Sequence, residues 1–402
     1  MARLPTHVSG NRIGEAGQGI GMGERKYFLD WLRVSAFGFL IVFHVGMLYV
    51  AYPFNLKSPR LLPEIEPWMT ALGAFRLPLL FFISGVASRF LIARLGAGPF
   101  AIDRARRLLP VILFAMFVVI PPQTFIELVD KGVWHGDYWT FWTTQYLPAN
   151  QALVRPLHKT MPTWDHVWFV VYLFFYTLFF ALGFAIARRA TGRHRIPIAI
   201  LLIAPAIWLA LTNLVILYKF PETKALVNDW GGHLKWTGMF ATGAYCAGFS
   251  AFWETLRRYR LALLGAALVL IAARQLGNDP WWSIFQGLYA WPMICALGGY
   301  AAEYLNRPSR MLSHLNEAVL PIYVLHQPIL LFAADYLFPR HLPLPIEFAA
   351  ISVITATGCF LVYETVIRPF GIMRFLFGLK PKSAANTQSF PSVAPSALPP
   401  SG

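Results

Sequence analysis

Apolar runs of about 20 residues, the helical length that crosses a hydrocarbon core, recur along the whole chain and are separated by basic clusters or Pro/Gly turns. No water inside a bilayer satisfies backbone polar groups, so only helices or closed barrels span it. The runs here are continuous rather than alternating with period two, which predicts helices and excludes a transmembrane barrel. Hydropathy read against the charged breaks predicts ten spans, at roughly 28–50, 69–93, 108–128, 165–187, 196–217, 234–253, 261–276, 281–302, 314–337 and 344–368. The seventh is the weakest, being short and ended by "RQLGNDP". No internal repeat is evident. The expected fold is an all-α polytopic bundle.

Composition agrees with this pattern: of 402 residues, 57% are hydrophobic and only 13% charged, a balance foreign to soluble domains of this size. The formal charge of +15 raises the question of nucleic acid. The basic residues form no patch and no interleaved aromatic face, so nucleic-acid binding is not expected. They sit between the apolar runs as orientation signals do. With a cytoplasmic N-terminus, the inside segments hold Arg25 and Lys26, then Arg94, Arg104, Arg106 and Arg107, then Arg188, Arg189, Arg193 and Arg195. Arg257, Arg258 and Arg260, then Arg307 and Arg310, then Arg374, Lys380 and Lys382 continue the series. Outside loops hold fewer, so both termini are expected in the cytoplasm. Residues 1–25 read as a polar, Gly-rich cytoplasmic tail without a cleavable signal peptide, 26–380 as the transmembrane domain, and 381–402 as a disordered Pro/Ser/Ala-rich tail. Cys246, Cys295 and Cys359 lie singly inside apolar runs and indicate neither disulfides nor a metal site.

The first span, "FLDWLRVSAFGFLIVFHVGML", keeps three polar side chains. At ~100° per residue, Arg33 and His44, eleven apart, fall within ~20° of one another, and Asp30 within about 60° of Arg33. The three form one stripe, with His44 ~16 Å above Arg33. Polar groups at that depth are costly against lipid and point into the bundle or a wet cavity. Imidazole suits proton transfer near neutral pH. The plainer readings are an interfacial Asp30–Arg33 pair and a histidine bridging two helices.

Further polar groups lie on other spans: Arg76 and Ser84 in "FRLPLLFFISG", Asp165 and His166 in "WDHVWFVVYLFF", His326 in "LPIYVLHQP", and Glu364 and Arg368 in "VYETVIRP". Ser84-Gly85 would also serve close helix contact, and Glu364 with Arg368 a mutual pair. Pro328, two residues after His326, is expected to distort its helix and free backbone groups around the ring. The outside segment 129–164, rich in Trp, Tyr, His and Pro, either covers a site or anchors at the interface through Trp134, Trp139 and Trp142.

"RKYFLDWLR" with His44 completing an R-x10-H spacing, "FRLPLLFFISG", "DRARRLLP", "HVWFVVYL", "LPIYVLHQPILLF" and "VYETVIRPFGIMRFLFGLKP" follow in order from about 25 to 382. Together they resemble the acyltransferase 3 family of membrane acyltransferases, most closely its glucan biosynthesis protein C, or glucan succinyltransferase, branch. The resemblance implies a protein of the bacterial inner membrane whose ten spans pass an acyl group, acetyl or succinyl, from cytoplasmic acyl-CoA to a hydroxyl of an extracytoplasmic glycan or related acceptor. Arg33 and His44 match the family's essential arginine and histidine, and Arg104 with Arg107 its RxxR motif. "HVWF" stands where the family more often reads "HLWF". The candidate catalytic residues are therefore His44, Arg33 and Asp30. The candidate substrate-binding residues are Arg76, Ser84, Arg104, Arg107, His166, Trp168, His326 and Glu364. Acyl-CoA is expected as a donor substrate, with the lipid bilayer as surroundings and no bound cofactor or metal. The competing reading is an anion or proton-coupled transporter using the same stripe as its path. The lack of repeats and of paired broken spans weighs against it.

Overall fold

In the computed structural model the described residues are 26–157, 159–187, 196–274 and 280–381, and they contain helices and no strand. The expected N-terminal tail, the C-terminal tail apart from Pro381, and the basic cluster 188–195 lie outside them.

The helices of six or more residues are α1 (Tyr27–Met47), α2 (Glu66–Leu95), α3 (Ala97–Phe114), α4 (Pro121–Asp130), α5 (Trp168–Ala187), α6 (Ile198–Tyr218) and α7 (Trp230–Cys246). They continue as α8 (Ser250–Arg258), α9 (Arg260–Arg274), α10 (Trp281–Tyr304), α11 (Arg310–Leu337), α12 (Leu344–Val362) and α13 (Gly371–Leu376). Among the described residues seven stretches are long and apolar enough to cross a membrane: Tyr27–Met47, Pro63–Leu95, Ala97–Asp130, Asp165–Ile186, Ile198–Tyr218, Arg310–Arg340 and Leu344–Ile367. The remaining three expected spans are helical but divided or less apolar. The sixth breaks between α7 and α8, the seventh corresponds to the 15-residue α9, and the eighth to the 24-residue α10.

The sequence of α10 is rich in Trp, Tyr and Gly, which score low on hydropathy, and it packs on α6 and α9 rather than standing alone. Close approach explains its glycines. A Cβ at Gly287 would sit 2.4 Å from the Ala210 backbone nitrogen. The α2–α7 contact is tighter still, since Cβ atoms at Gly85 and Gly243 would lie 2.0 and 1.9 Å from the carbonyl oxygens of Phe240 and Phe82. Small residues let helices approach where the apolar solvent supplies no hydrophobic drive.

Helix α1 packs against α2, α10, α11 and α12, so its polar stripe faces protein. We call the Tyr27 end lower and the Met47 end upper. Above the bundle, segment 129–164 builds a small core on Leu128 of α4 with Phe141, Tyr146, Val154 and Met161. Trp142 donates its indole N–H to the Phe117 carbonyl, 3.0 Å, while Trp139 stays exposed.

Candidate functional site

A cavity of 490 Å³ opens among α1, α2, α3, α5, α11 and the C-terminal turn, within the size range of small-molecule sites. Its lower part carries five cations, Arg33, Arg104, Arg107, Arg374 and Lys380, and one acid, Glu317. Each arginine is held along part of its fork. Arg33 donates to Asn316 Oδ1 (3.2 Å) and lies 3.9 Å from Asp30, which accepts from the Asn316 amide at 3.2 Å. Arg104 pairs with Asp103 at 2.7 Å, Arg107 reaches the Gly378 carbonyl, and Arg374 pairs with Glu317 at 2.7 Å. The Gly378 turn brings Lys380 in. Its φ of +69° and a Cβ that would lie 2.5 Å from the Arg107 carbonyl oxygen both demand glycine there. Guanidinium groups grouped this way suit phosphate oxygens.

The cavity's inner part is lined by Phe37, Ser84, Phe169 and Tyr323. The Tyr323 ring packs edge-on against Phe37 and Phe169, with centroids at 5.4 and 6.1 Å. On its other side it meets His166 and His326, at 6.2 and 5.8 Å. These aromatics thus divide the cationic cavity from a histidine cluster. His44 and His326 lie 4.8 Å apart, ring centre to ring centre, and His326 and His166 5.4 Å.

Local backbone fixes each ring. His44 Nδ1 donates to the Leu40 carbonyl one turn below, 2.9 Å, which places the lone pair of the neutral ring on Nε2. His326 Nδ1 donates to the Tyr323 carbonyl at 2.6 Å. Pro328 lacks the N–H that would bond the carbonyl four residues back; that carbonyl, on Val324, accepts instead from His166 Nε2 at 2.9 Å. A sequence feature thereby couples α11 to the start of α5. Among the described residues no group of three or more His, Cys, Asp or Glu is placed to hold a metal ion.

The family model Acyl_transf_3, described as an acyltransferase domain, matches residues 26–364, a range that includes Arg33, both RxxR arginines and all three clustered histidines. The chain belongs to the acyltransferase 3 family. It is a multi-pass membrane acyltransferase. Proteins named glucans biosynthesis protein C from Salmonella paratyphi B, Salmonella dublin and Salmonella enteritidis PT4 are each 23% identical over 385 residues, covering 89% of this chain and 95% of theirs. No solved structure matches.

In this acyltransferase the structure brings together Asp30, Arg33, Ser84, Arg104 and Arg107 around the lower cavity, and His44, His166 and His326 above it. Ser84 faces the cavity while its neighbour Gly85 makes the helix contact, so the two halves of "SG" do separate jobs. Arg106 is exposed and does not line the cavity. Arg76 is buried, with its guanidinium 3.9 Å above the ring of Phe43, the neighbour of His44. Its Nε and one terminal nitrogen have no hydrogen-bond partner among the described residues. It tops a 300 Å³ apolar groove walled by Leu32, Phe39, Phe75 and Leu297. Trp168 lies apart from both chambers, packed on Tyr172 and Trp236 with Lys224 over its ring. Glu364 is also apart, paired with Arg368 at 2.7 Å and with His314.

Sequence reasoning missed Asn316, Arg374 as a cavity residue, and a buried polar network at the upper end. There Asn55 donates to Glu127 (2.6 Å) and Asp165 (3.1 Å), Gln123 to Asp165 (2.6 Å), and Gln327 to Asn55 (2.8 Å). Lys131 and Lys159 both pair with Glu127. Lys159 belongs to the 129–164 segment, so this network pins that segment onto α4, α5 and α11.

Proposed function

We propose that this acyltransferase lies in a bacterial inner membrane with ten crossings and both termini cytoplasmic. It moves an acyl group from cytoplasmic acyl-CoA to a hydroxyl of an extracytoplasmic glycan. The observation that carries the reading is a cationic cavity at the lower end whose inner wall stands one aromatic layer from a histidine cluster in which His44 packs on His326. The donor's phosphates would meet Arg33, Arg104, Arg107, Arg374 and Lys380, and its thioester would reach toward Phe37 and Tyr323. The acceptor hydroxyl would enter from above. His44 Nε2 takes its proton as the oxygen bonds to the thioester carbonyl. The C–S bond then breaks, and the thiolate recovers that proton from His44. Ester and free CoA result, with His44 neutral again. Asp30 acts through Asn316 as a positioning residue for Arg33.

Of the two acyl groups, the charge distribution favours succinyl. A buried guanidinium without an acidic partner is costly, and a terminal carboxylate would supply the anion that Arg76 lacks; an acetyl group would not. The network around Glu127 would hold the upper entrance in shape.

The test is purified protein in sealed proteoliposomes with labelled acyl-CoA, reading free CoA, ester and the position of the label. Wild type should release CoA in proportion to ester, and His44→Ala, folded and membrane-inserted, should release none. Retained transfer by His44→Ala would sink the base assignment. Label crossing the membrane with its thioester intact would instead favour the transporter reading.

A further inference from the structure

Each imidazole of the histidine cluster has committed its single N–H to a backbone carbonyl: His44 to Leu40, His326 to Tyr323 and His166 to Val324. A neutral ring bonded in this way offers only a lone pair at its other nitrogen. Nε2 of His326 and Nδ1 of His166 are buried with no hydrogen-bond partner among the described residues. The nearby Tyr323 hydroxyl cannot fill either, because it donates to the His166 carbonyl at 2.5 Å. The cluster therefore gathers acceptors, which an occupant bearing O–H groups would fill. Acyl transfer uses one acceptor, Nε2 of His44. The ring next to it, His326 at 4.8 Å, is fully buried and has its Nε2 unfilled.

We propose that His326 reads a second hydroxyl of the acceptor, adjacent to the one acylated, so that the site selects a vicinal diol over an isolated alcohol. The inference rests on the acyl-transfer reading. One hydroxyl loses its proton to His44 and becomes the ester oxygen. Its neighbour donates a hydrogen bond to His326 Nε2 and leaves unreacted. An analogue lacking that neighbour strands a buried acceptor, which is the kind of defect that hydrogen-bonding sites reject most strongly.

Two isosteric variants separate this role from a structural one. His326→Asn keeps an N–H at the Nδ1 position, hence the Tyr323 bond, and removes the Nε2 acceptor. His326→Gln places an amide oxygen near Nε2 and gives up the Tyr323 bond. The full-length protein in proteoliposomes is supplied with succinyl-CoA or acetyl-CoA and with methyl glucoside or each of its monodeoxy analogues, reading ester and free CoA. Wild type should use one deoxy analogue, still bearing the acylated hydroxyl, about tenfold to a hundredfold less well than methyl glucoside. His326→Asn should bring that ratio near one, and His326→Gln should largely keep it. The inference is overturned by equal use of all the acceptors, by esterification of none of them while CoA is released, or by a ratio unchanged in His326→Asn. It is equally overturned if Asn is benign and Gln damaging, the order a structural histidine gives. If no CoA is released from either donor, acyl transfer itself fails, and the diol reading fails with it.

Discussion

His44 shows how one helix sets both the place and the state of the proposed general base. Its position was legible in the sequence, because eleven residues bring it back over Arg33. Its tautomer was not, because that depends on the ring bending down to the Leu40 carbonyl. Truncation to Ala should cost transfer at least ~10²-fold, the usual scale for a lost general base, with thermal stability nearly unchanged. Asn316 was illegible for another reason: a neutral amide 283 residues from Arg33 carries no signal until folding inserts it between Arg33 and Asp30. Asn316→Leu should loosen Arg33 and raise KM for acyl-CoA roughly tenfold, the worth of about one charge-assisted hydrogen bond, with a smaller change in kcat. Arg76 is the residue-level test of the donor. Arg76→Met should erase a preference for succinyl-CoA over acetyl-CoA measured in direct competition; a preference that survives would leave the acyl group unexplained by this site.

Among elements, α11 does the most to organise the centre. It carries Asn316, Tyr323 and His326, and its Pro328 releases the carbonyl that His166 takes. That distortion was readable from "LHQP", although its partner was not, since nothing in the local sequence points from Val324 to a helix more than 150 residues earlier. The upper network escaped sequence reading because Glu127, Gln123 and Asn55 look like ordinary interfacial polar residues until burial is known. Glu127 is buried and accepts from three groups, so Glu127→Ala takes an acceptor from Lys131, Lys159 and Asn55 at once and leaves Asp165 as the acid facing Lys159 and Asn55. A loss of about 1–3 kcal/mol is expected, the scale of buried polar groups losing a partner, seen as a lower unfolding temperature in detergent. Lys159→Met should cost less, because Lys131 and Asn55 remain on Glu127.

For the whole molecule, the all-helical, membrane-spanning class followed from run length and composition. The seven stretches sufficient to span by themselves match the apolar runs of the first, second, third, fourth, fifth, ninth and tenth expected spans. The α7–α10 region was harder because its apolarity is distributed: Gly, Trp and Tyr fill tight helix contacts there, and these residues weaken a hydropathy signal while strengthening packing. The cationic cavity was half legible. The RxxR arginines stood out, whereas Arg374 and Lys380 join them only because the Gly378 turn folds back on α3. The central claim is that acyl groups pass from a donor at the lower end, through His44, to a hydroxyl at the upper end. The most direct measurement uses sealed vesicles of uniform protein orientation, with labelled acyl-CoA on the Arg104 side and a glycan trapped on the other. The account predicts labelled ester on the trapped glycan, one free CoA per ester on the donor side, and neither with His44→Ala. Ester confined to the donor side, or transfer undiminished in His44→Ala, would contradict it.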